Sequence, residues 1–498
     1  MMSSNSVRII HQLHHDFQEL VEYVSDKEAQ TRTAYEVELN LFRRLLKLGA
    51  QLLRLFFVHR ATARPDEPVY ASDGTRLKYQ SLRWTTYYSV FGKVRFKRHY
   101  FHTPGQEGFC PLDAELSLPP RCYSDLLRDW AEYCVTDESY DESIRVLKHI
   151  LTLTIPKRAL EVDTEKDAAD VNAFYEQKPV PPLEAEGSIL VVQADGKGVP
   201  MVRTEPVNQP ARRGKGEKGT KKKEAVVTGI YTIQPHLRTP EQVVKALMHD
   251  IDGDEERKSV TASHPQRPAP VGKELRATLA GKDTAFERLT GRVAQREGDH
   301  IRHRVALTDG DDALQRRVSN KLSTFTLVLD IIHASEYLWD AANALLGETH
   351  PDRTAWVEKH LLCLLSGKTT DVIQTLEREV QNPAISSSQR KAVNTTIGYY
   401  QRNSSYMRYD QYLTRGWPIG TGVVEGACGH LVKDRMERSG MRWIKPGAQA
   451  VLDLRAVRVN DDWDDYRRFH RQRQHQRLYG DYSDVSPPSE TIALQEVA

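Results

Sequence analysis

Between Ser188 and Asp312 the hydrophobic period of this chain changes. "SILVVQADGKGVPMV", "EAVVTGIYTI" and "RVALTDGDD" are short apolar runs ending in polar turns, and "STFTLVLDIIHASEYLWDA" reads as a buried strand entering a helix. Runs of this length bounded by turn residues are the pattern of strands buried on both faces. Strands of this kind interleaved with helical stretches call for a mixed α/β or α+β core. The Pro-rich segment "EQKPVPPLEAEG" marks its start. At 498 residues the chain is too long for one compact core and divides into two to four domains.

The rest of the chain can be partitioned around that core. Residues 1–75 form a helical N-terminal region: Leu39, Leu41, Leu45, Leu48, Leu52 and Leu55 fall at helical spacing, with no Pro or Gly between Val7 and Gly49. Residues 76–120 form a β-hairpin region, in which "TTYYSVFGKVRFKRHYF" turns at Phe91-Gly92. Val94, Phe96 and Arg98 then share one face, and Lys93, Arg95, Lys97 and His99 the other. Residues 121–180 return to helical spacing, with Ile144, Leu147 and Leu151 on one stripe. A helix-turn-helix fits this region, and so does an ordinary helical hairpin, since the break lacks the usual Gly. Residues 186–334 hold the first part of the core, 335–417 a helical stretch, and 418–460 a final helix carrying Glu425. Residues 461–498 read as a basic segment followed, from about Val485, by a disordered tail.

Composition excludes several classes. Formal net charge is only +2, so a polyanion partner must be met by local basic patches. The cysteines, Cys110, Cys122, Cys134, Cys363 and Cys428, form no C-x-x-C pair and are odd in number. This favours a reducing cytoplasm over a disulfide framework or a thiolate zinc site. No signal-peptide core and no run of about 18 apolar residues occurs. A cytoplasmic protein with no membrane contact is expected.

Three carboxylates carry the chemical argument. Asp195, in Asp-Gly-Lys-Gly, and Asp309, in Asp-Gly-Asp-Asp, each follow an apolar run and are expected in tight turns at strand ends, where α/β sheets present reactive groups. An isolated Asp-Gly is usually only a turn. The third acid, Glu425, is flanked by glycines in "PIGTGVVEGACGHLVKDRMERSGMRW". If the three converge they offer only hard oxygen donors, which suit Mg²⁺. Two such ions could serve an in-line displacement at phosphorus.

In "VVQADGKGVPM", "RVALTDGDDAL" and the Glu425 segment, the chain resembles DDE transposases of the ISKra group of bacterial insertion sequences, with Mutator-like relatives. "FGKVRFKRHYF" followed by "CPLDAELSLP" extends the resemblance. It implies an α+β multidomain protein with an RNase H-like core interrupted by a helical insertion. It implies, too, that Asp195, Asp309 and Glu425 are catalytic and bind two Mg²⁺ ions, for which Mn²⁺ substitutes. "DIIH" matches the relatives' Asp or Cys, two residues, then His, as Asp330 and His333, which are expected in a structural or auxiliary role. The chemistry implied is DNA strand cleavage and transfer, on double-stranded element ends and target. A homodimer or higher oligomer bound to DNA, in the bacterial cytoplasm, follows from the same resemblance. "HYFHTPGQEGFCPLD" has fewer cysteines than such relatives, so no zinc is expected there.

Basic segments surround these acids. "ARRGKGEKGTKKKE" offers Arg212, Arg213, Lys215, Lys218, Lys221, Lys222 and Lys223 to DNA phosphates. Lys433, Arg435, Arg438 and Arg442 follow Glu425, and Trp443 could stack on an unpaired base. "YRRFHRQRQHQR" adds five arginines. Two other readings compete: a haloacid-dehalogenase-type phosphatase, which "QADGKG" disfavours by placing Gln193 where a nucleophilic Asp is needed, and a transposase-derived DNA-binding protein that no longer cuts.

Overall fold

The computed structural model describes residues 4–27, 29–61, 64–65, 67–71, 73–202, 222–252 and 267–480. The chain is mixed α/β and separates into two compact units, one made of residues 1–174 and 462–498, the other of residues 175–461. No described helix is long and apolar enough to cross a membrane.

The first unit opens with two helices, Ser4–Ser25 and Ala34–Ala61. They are followed by a hairpin of β1 (Lys78–Ser89) and β2 (Gly92–His102), whose register pairs Ser89 with Gly92 across the expected turn. Val94 and Phe96 are buried while Lys93, Arg95 and Lys97 are exposed, so the alternation read from sequence holds. Phe57 of the second helix stacks on Phe96 with ring centroids 4.2 Å apart and closes this small core.

Helices Tyr140–Leu151 and Lys157–Asp167 occupy the place of the expected helix-turn-helix. Thr152 takes the left-handed conformation (φ 56°) at the break where Gly is usual. Asp163 and Asp167 of the second helix are buried and engaged by Arg121 and Arg128. That helix carries four acids against three cations.

The C-terminal basic segment is not a tail. Residues Trp463–Tyr479 form a helix that packs into the first unit through its charges. Arg467, almost fully buried, pairs with Glu132 at 2.7 Å and Asp167 at 3.2 Å. His470 hydrogen-bonds Asp170 at 2.7 Å, and Arg473 and Arg477 reach the same carboxylate. Three of the five arginines therefore neutralise buried or half-buried acids of their own unit. The expected disordered stretch lies outside the described residues.

The second unit is built on a five-stranded sheet of order β5-β4-β3-β6-β7, with β3 Ile189–Pro200, β4 Lys222–Ile233, β5 Val271–Thr278, β6 His303–Thr308 and β7 Thr326–Leu329. β3, β4 and β5 form an antiparallel meander, and β6 and β7 run parallel to β3. Successive side chains of a strand point to opposite faces, and β3 buries both. Ile189 and Val191 join a core with helices Ile331–Leu346, Arg353–Leu365, Thr369–Gln381 and Ser387–Asn403, whereas Leu190, Val192 and Ala194 pack against helices Lys282–Arg296 and Asp312–Lys321. The helical stretch expected after Ser335 is thus a layer on one face of the sheet.

Candidate active site

The register of the sheet brings three carboxylates into a row. β3 pairs with β6 up to Gln193 opposite Leu307, and two residues further along both chains Asp195 is level with Asp309. β6 pairs with β7 up to Thr308 opposite Leu329, and one residue further Asp309 is level with Asp330. Neighbouring strands lie about 4.8 Å apart, so these acids are neighbours, Asp309 and Asp330 just past the carboxyl ends of β6 and β7 and Asp195 within β3.

Asp195 departs from expectation in one respect. It does not sit in a tight turn: β3 continues through it to Pro200, and Asp195 pairs with Val227 of β4. The glycines that follow admit close neighbours rather than a turn, and a Cβ at Gly196 would fall 2.3 Å from the Glu224 carboxylate. Asp309 does stand at the end of its strand. Gly310, at φ 96°, makes the turn, a conformation suited to Gly. The Asp311 N–H donates to Asp309 Oδ1 at 3.0 Å, and the Tyr399 hydroxyl donates to the Asp309 carbonyl at 2.8 Å. The two acids that follow have other duties: Asp311 caps helix Asp312–Lys321 through the Leu314 N–H, and Asp312 pairs with Arg402. Burial raises the Asp309 pKa, the Asp311 N–H opposes it, and the charge of Asp195 adds to the rise.

Glu425 lies on the short helix Gly422–Ala427, which widens into a π turn over Cys428–Lys433. Gln193, buried on the same face of β3 as Asp195, fixes this helix. Its Nε2 donates to the Gly420 carbonyl at 3.3 Å and to the Tyr231 hydroxyl at 3.1 Å, and its Oε1 accepts from the Val424 N–H at 3.0 Å. Burial raises the pKa of the Cys428 thiol on the following turn, the charge of Asp195 and a hydrogen bond to it add to the rise, Lys197 opposes it, and Glu425 contributes a smaller increase. Replacing Gln193 by Leu removes its bond to the Gly420 carbonyl and leaves the Val424 N–H only its bond to the Thr421 carbonyl. A loss of about 1–3 kcal/mol in chemical denaturation is expected, and unchanged stability would deny Gln193 this role.

No model of a known protein family matches the chain, and no curated protein matches it.

Among the described residues, Asp330, His333 and Glu425 have ligand atoms within 4.8 Å of one another, a group that could hold a metal ion. Asp330 is fully buried and caps helix Ile331–Leu346 through the Ile332 N–H. His333 Nδ1 lies 2.8 Å from Asp330 Oδ2 and 3.3 Å from Glu425 Oε1, and the Thr421 hydroxyl donates to Asp330 at 2.7 Å. The expected Asp–His pair is therefore present, and it also anchors Glu425. The hydrogen bond to Asp330, opposed by burial and assisted by the charges of Asp330, Glu336 and Glu425, pushes the His333 pKa up to about 9. A metal at His333 must displace that proton. In the metal-free chain the raised pKa favours the protonated form, which places a cation between two carboxylates.

This pairing has a testable pH dependence in the metal-free protein. A histidine pKa raised by folding stabilises fully below its unfolded value near 6.5, and that contribution is lost as pH rises through about 9. In an NMR titration His333 should remain protonated at neutral pH and titrate near 9, and Asp330→Asn should move its midpoint downward. A wild-type midpoint near 6.5, the ordinary histidine value, would contradict the pairing.

The basic residues divide. Lys433, Arg438 and Arg442 are exposed, as are Lys222 and Lys223, with Lys222 paired to Glu437 at 2.6 Å. Arg435 and Trp443 are buried and must be withdrawn from any DNA surface. The Arg435 guanidinium lies over the Trp443 ring, 4.9 Å from its centroid, and the indole N–H donates to the Met436 carbonyl at 3.0 Å. Arg212, Arg213, Lys215, Lys218 and Lys221 lie outside the described residues. The sequence offered a signal for Asp330 and His333 but none for Gln193, whose role depends on contacts more than 200 positions away.

Proposed function

We propose that the chain is a DDE-type transposase that cleaves DNA strands and transfers them, with Asp195, Asp309 and Glu425 holding two Mg²⁺ ions. The observation that carries this reading is the alignment of Asp195 and Asp309 on adjacent parallel strands with Glu425 tied to the same strand through Gln193. A mixed sheet of an antiparallel meander extended by two parallel strands, interrupted after its last strand by a helical layer, supports an RNase H-like core. The resemblance of the three acid-bearing segments to ISKra-group transposases points the same way.

The triad offers the donor type that Mg²⁺ takes, although the described group whose ligand atoms already lie within 4.8 Å of one another is Asp330, His333 and Glu425. All three acids supply hard oxygens, and the upward-shifted Asp309 beside Asp195 is the electrostatic situation that a divalent cation relieves. When bound, Mg²⁺ supplies Lewis acidity toward a phosphodiester and lowers the pKa of water or a 3′-hydroxyl. The chain's own residues do the rest. Gly310 and the Asp311 N–H orient Asp309, Gln193 sets the position of the Glu425 helix against β3, and the Asp330–His333 pair prevents Glu425 from turning away. Lys222, Lys223, Lys433, Arg438 and Arg442 provide cations for a double-stranded DNA backbone.

The test is incubation of the wild-type chain with Mg²⁺ or Mn²⁺ and a plasmid carrying the DNA that flanks its own coding region. Strand breaks at the flanks are expected. DNA binding without any break under either metal would favour the DNA-binding protein that does not cut.

A further inference from the structure

The two N-terminal helices carry an apolar stripe that the described residues of their own unit leave exposed. In the first helix Val7, Phe17, Val21 and Val24 are exposed, and in the second Phe42, Leu45, Leu52 and Phe56, each between 39% and 59%. These are not scattered residues. With Ile10 and His14 the first set runs 7, 10, 14, 17, 21, 24, and with Gly49 the second runs 42, 45, 49, 52, 56. Alternating steps of three and four are the heptad seam of helix packing.

Both seams lie on one side of the pair. Ser6, Ile9, Leu13 and Leu20 are the buried residues of the first helix, and Asp16 between them accepts from Gln51 and pairs with Lys47 of the second. Arg44 lies over Tyr23, so the helices run antiparallel. In each helix the exposed seam is rotated about a quarter turn or more, in the same sense, from the residues facing its neighbour. For an antiparallel pair this directs both seams outward on the same side. Phe91 extends the surface: its half-exposed ring packs on Gly49, where a Cβ would come within 2.6 Å of the ring.

We propose that this face is where a second copy of the chain docks, two helical pairs joining as a four-helix bundle about a two-fold axis. Area and charge both select this occupant. A first helix of 22 residues is about 33 Å long, and two helices side by side about 20 Å wide, giving roughly 650 Å² per partner, or about 1,300 Å² in all, within the range of specific interfaces. The first helix has three acids against one Arg, and the second five Lys or Arg against two Glu. The first helix of one copy is thus complementary to the second helix of the other. A first helix of negative charge is the wrong partner for DNA or an anionic membrane.

The inference does not depend on catalysis, so its failure and that of the transposase reading are separable. Sedimentation equilibrium of the full chain without DNA should give a dimer. Val21→Asp and Leu52→Asp should each raise the dissociation constant by about tenfold or more, equivalent to about 1.4 kcal/mol. Their melting temperatures, measured on the monomer, should match that of wild type because both positions are solvent-exposed there. A wild-type monomer at all concentrations overturns the proposal, as does a dimer that both substitutions leave intact.

Discussion

Asp195→Asn, Asp309→Asn and Glu425→Gln are each expected to slow metal-dependent DNA cleavage by on the order of 100-fold or more, a few kcal/mol, while DNA affinity stays near wild type. Each substitution keeps the shape of the side chain and removes the charge that holds a cation. Asp195 and Asp309 each lie two residues beyond the last β3–β6 pair, Gln193 with Leu307, and the charge of Asp195 bears on Asp309, so loss of either alters the field at the other. Glu425 is held by Gln193 through the backbone of its helix, so Glu425→Gln leaves the helix in place. The exposed cations of residues 222–223 and 433–442 are untouched, which is why binding should survive. The effects should be strongly non-additive, because in the proposed site the acids act on one pair of ions. Cleavage rates measured beside gel shifts on the same DNA check this, and wild-type cleavage by Glu425→Gln would remove that residue from the site.

The largest expected effect on stability lies in the other unit. Arg467 is buried with Glu132 and Asp167 within 3.2 Å, so Arg467→Met would leave two buried carboxylates short of a counter-charge. Burial already raises the Glu132 pKa, with Arg467 opposing it. Removing one partner of a buried ion network typically costs about 3–5 kcal/mol, and a loss of that size is expected in denaturant unfolding of Arg467→Met. A loss under about 1 kcal/mol, typical of an exposed pair, would mean that the helix Trp463–Tyr479 is held by its apolar contacts alone.

What could be read from the sequence follows the hydrophobic period. β3, β4, β6 and β7 are apolar runs and were legible, as was the entry of β7 into its helix at Asp330. β5, "VGKELRAT", was not, because it alternates charge with apolar residues and reads as solvated. Glu274 and Arg276 are nonetheless buried, the first paired with Arg292 at 2.9 Å and the second near Asp453 at 3.9 Å. Arg435 and Arg467 were misread for the same reason: a cation in sequence looks like surface until the ring or carboxylate that meets it is located. Asp195 was legible as a site residue, but its Asp-Gly-Lys-Gly suggested a turn. The strand partner β4, which keeps that segment extended, is a long-range contact that local turn propensity does not register.

In the proposed site the metal belongs to Asp195, Asp309 and Glu425. Asp330 and His333 make an alternative centre with the same glutamate, and only Glu425 is common to both. Mn²⁺ binding, followed by electron paramagnetic resonance, separates them when wild type is compared with Asp309→Asn and His333→Ala at matched folded fractions. Asp309→Asn should lose Mn²⁺ affinity and His333→Ala should keep it. Loss in His333→Ala with wild-type affinity in Asp309→Asn would place the ion at Asp330, His333 and Glu425 and contradict the assignment.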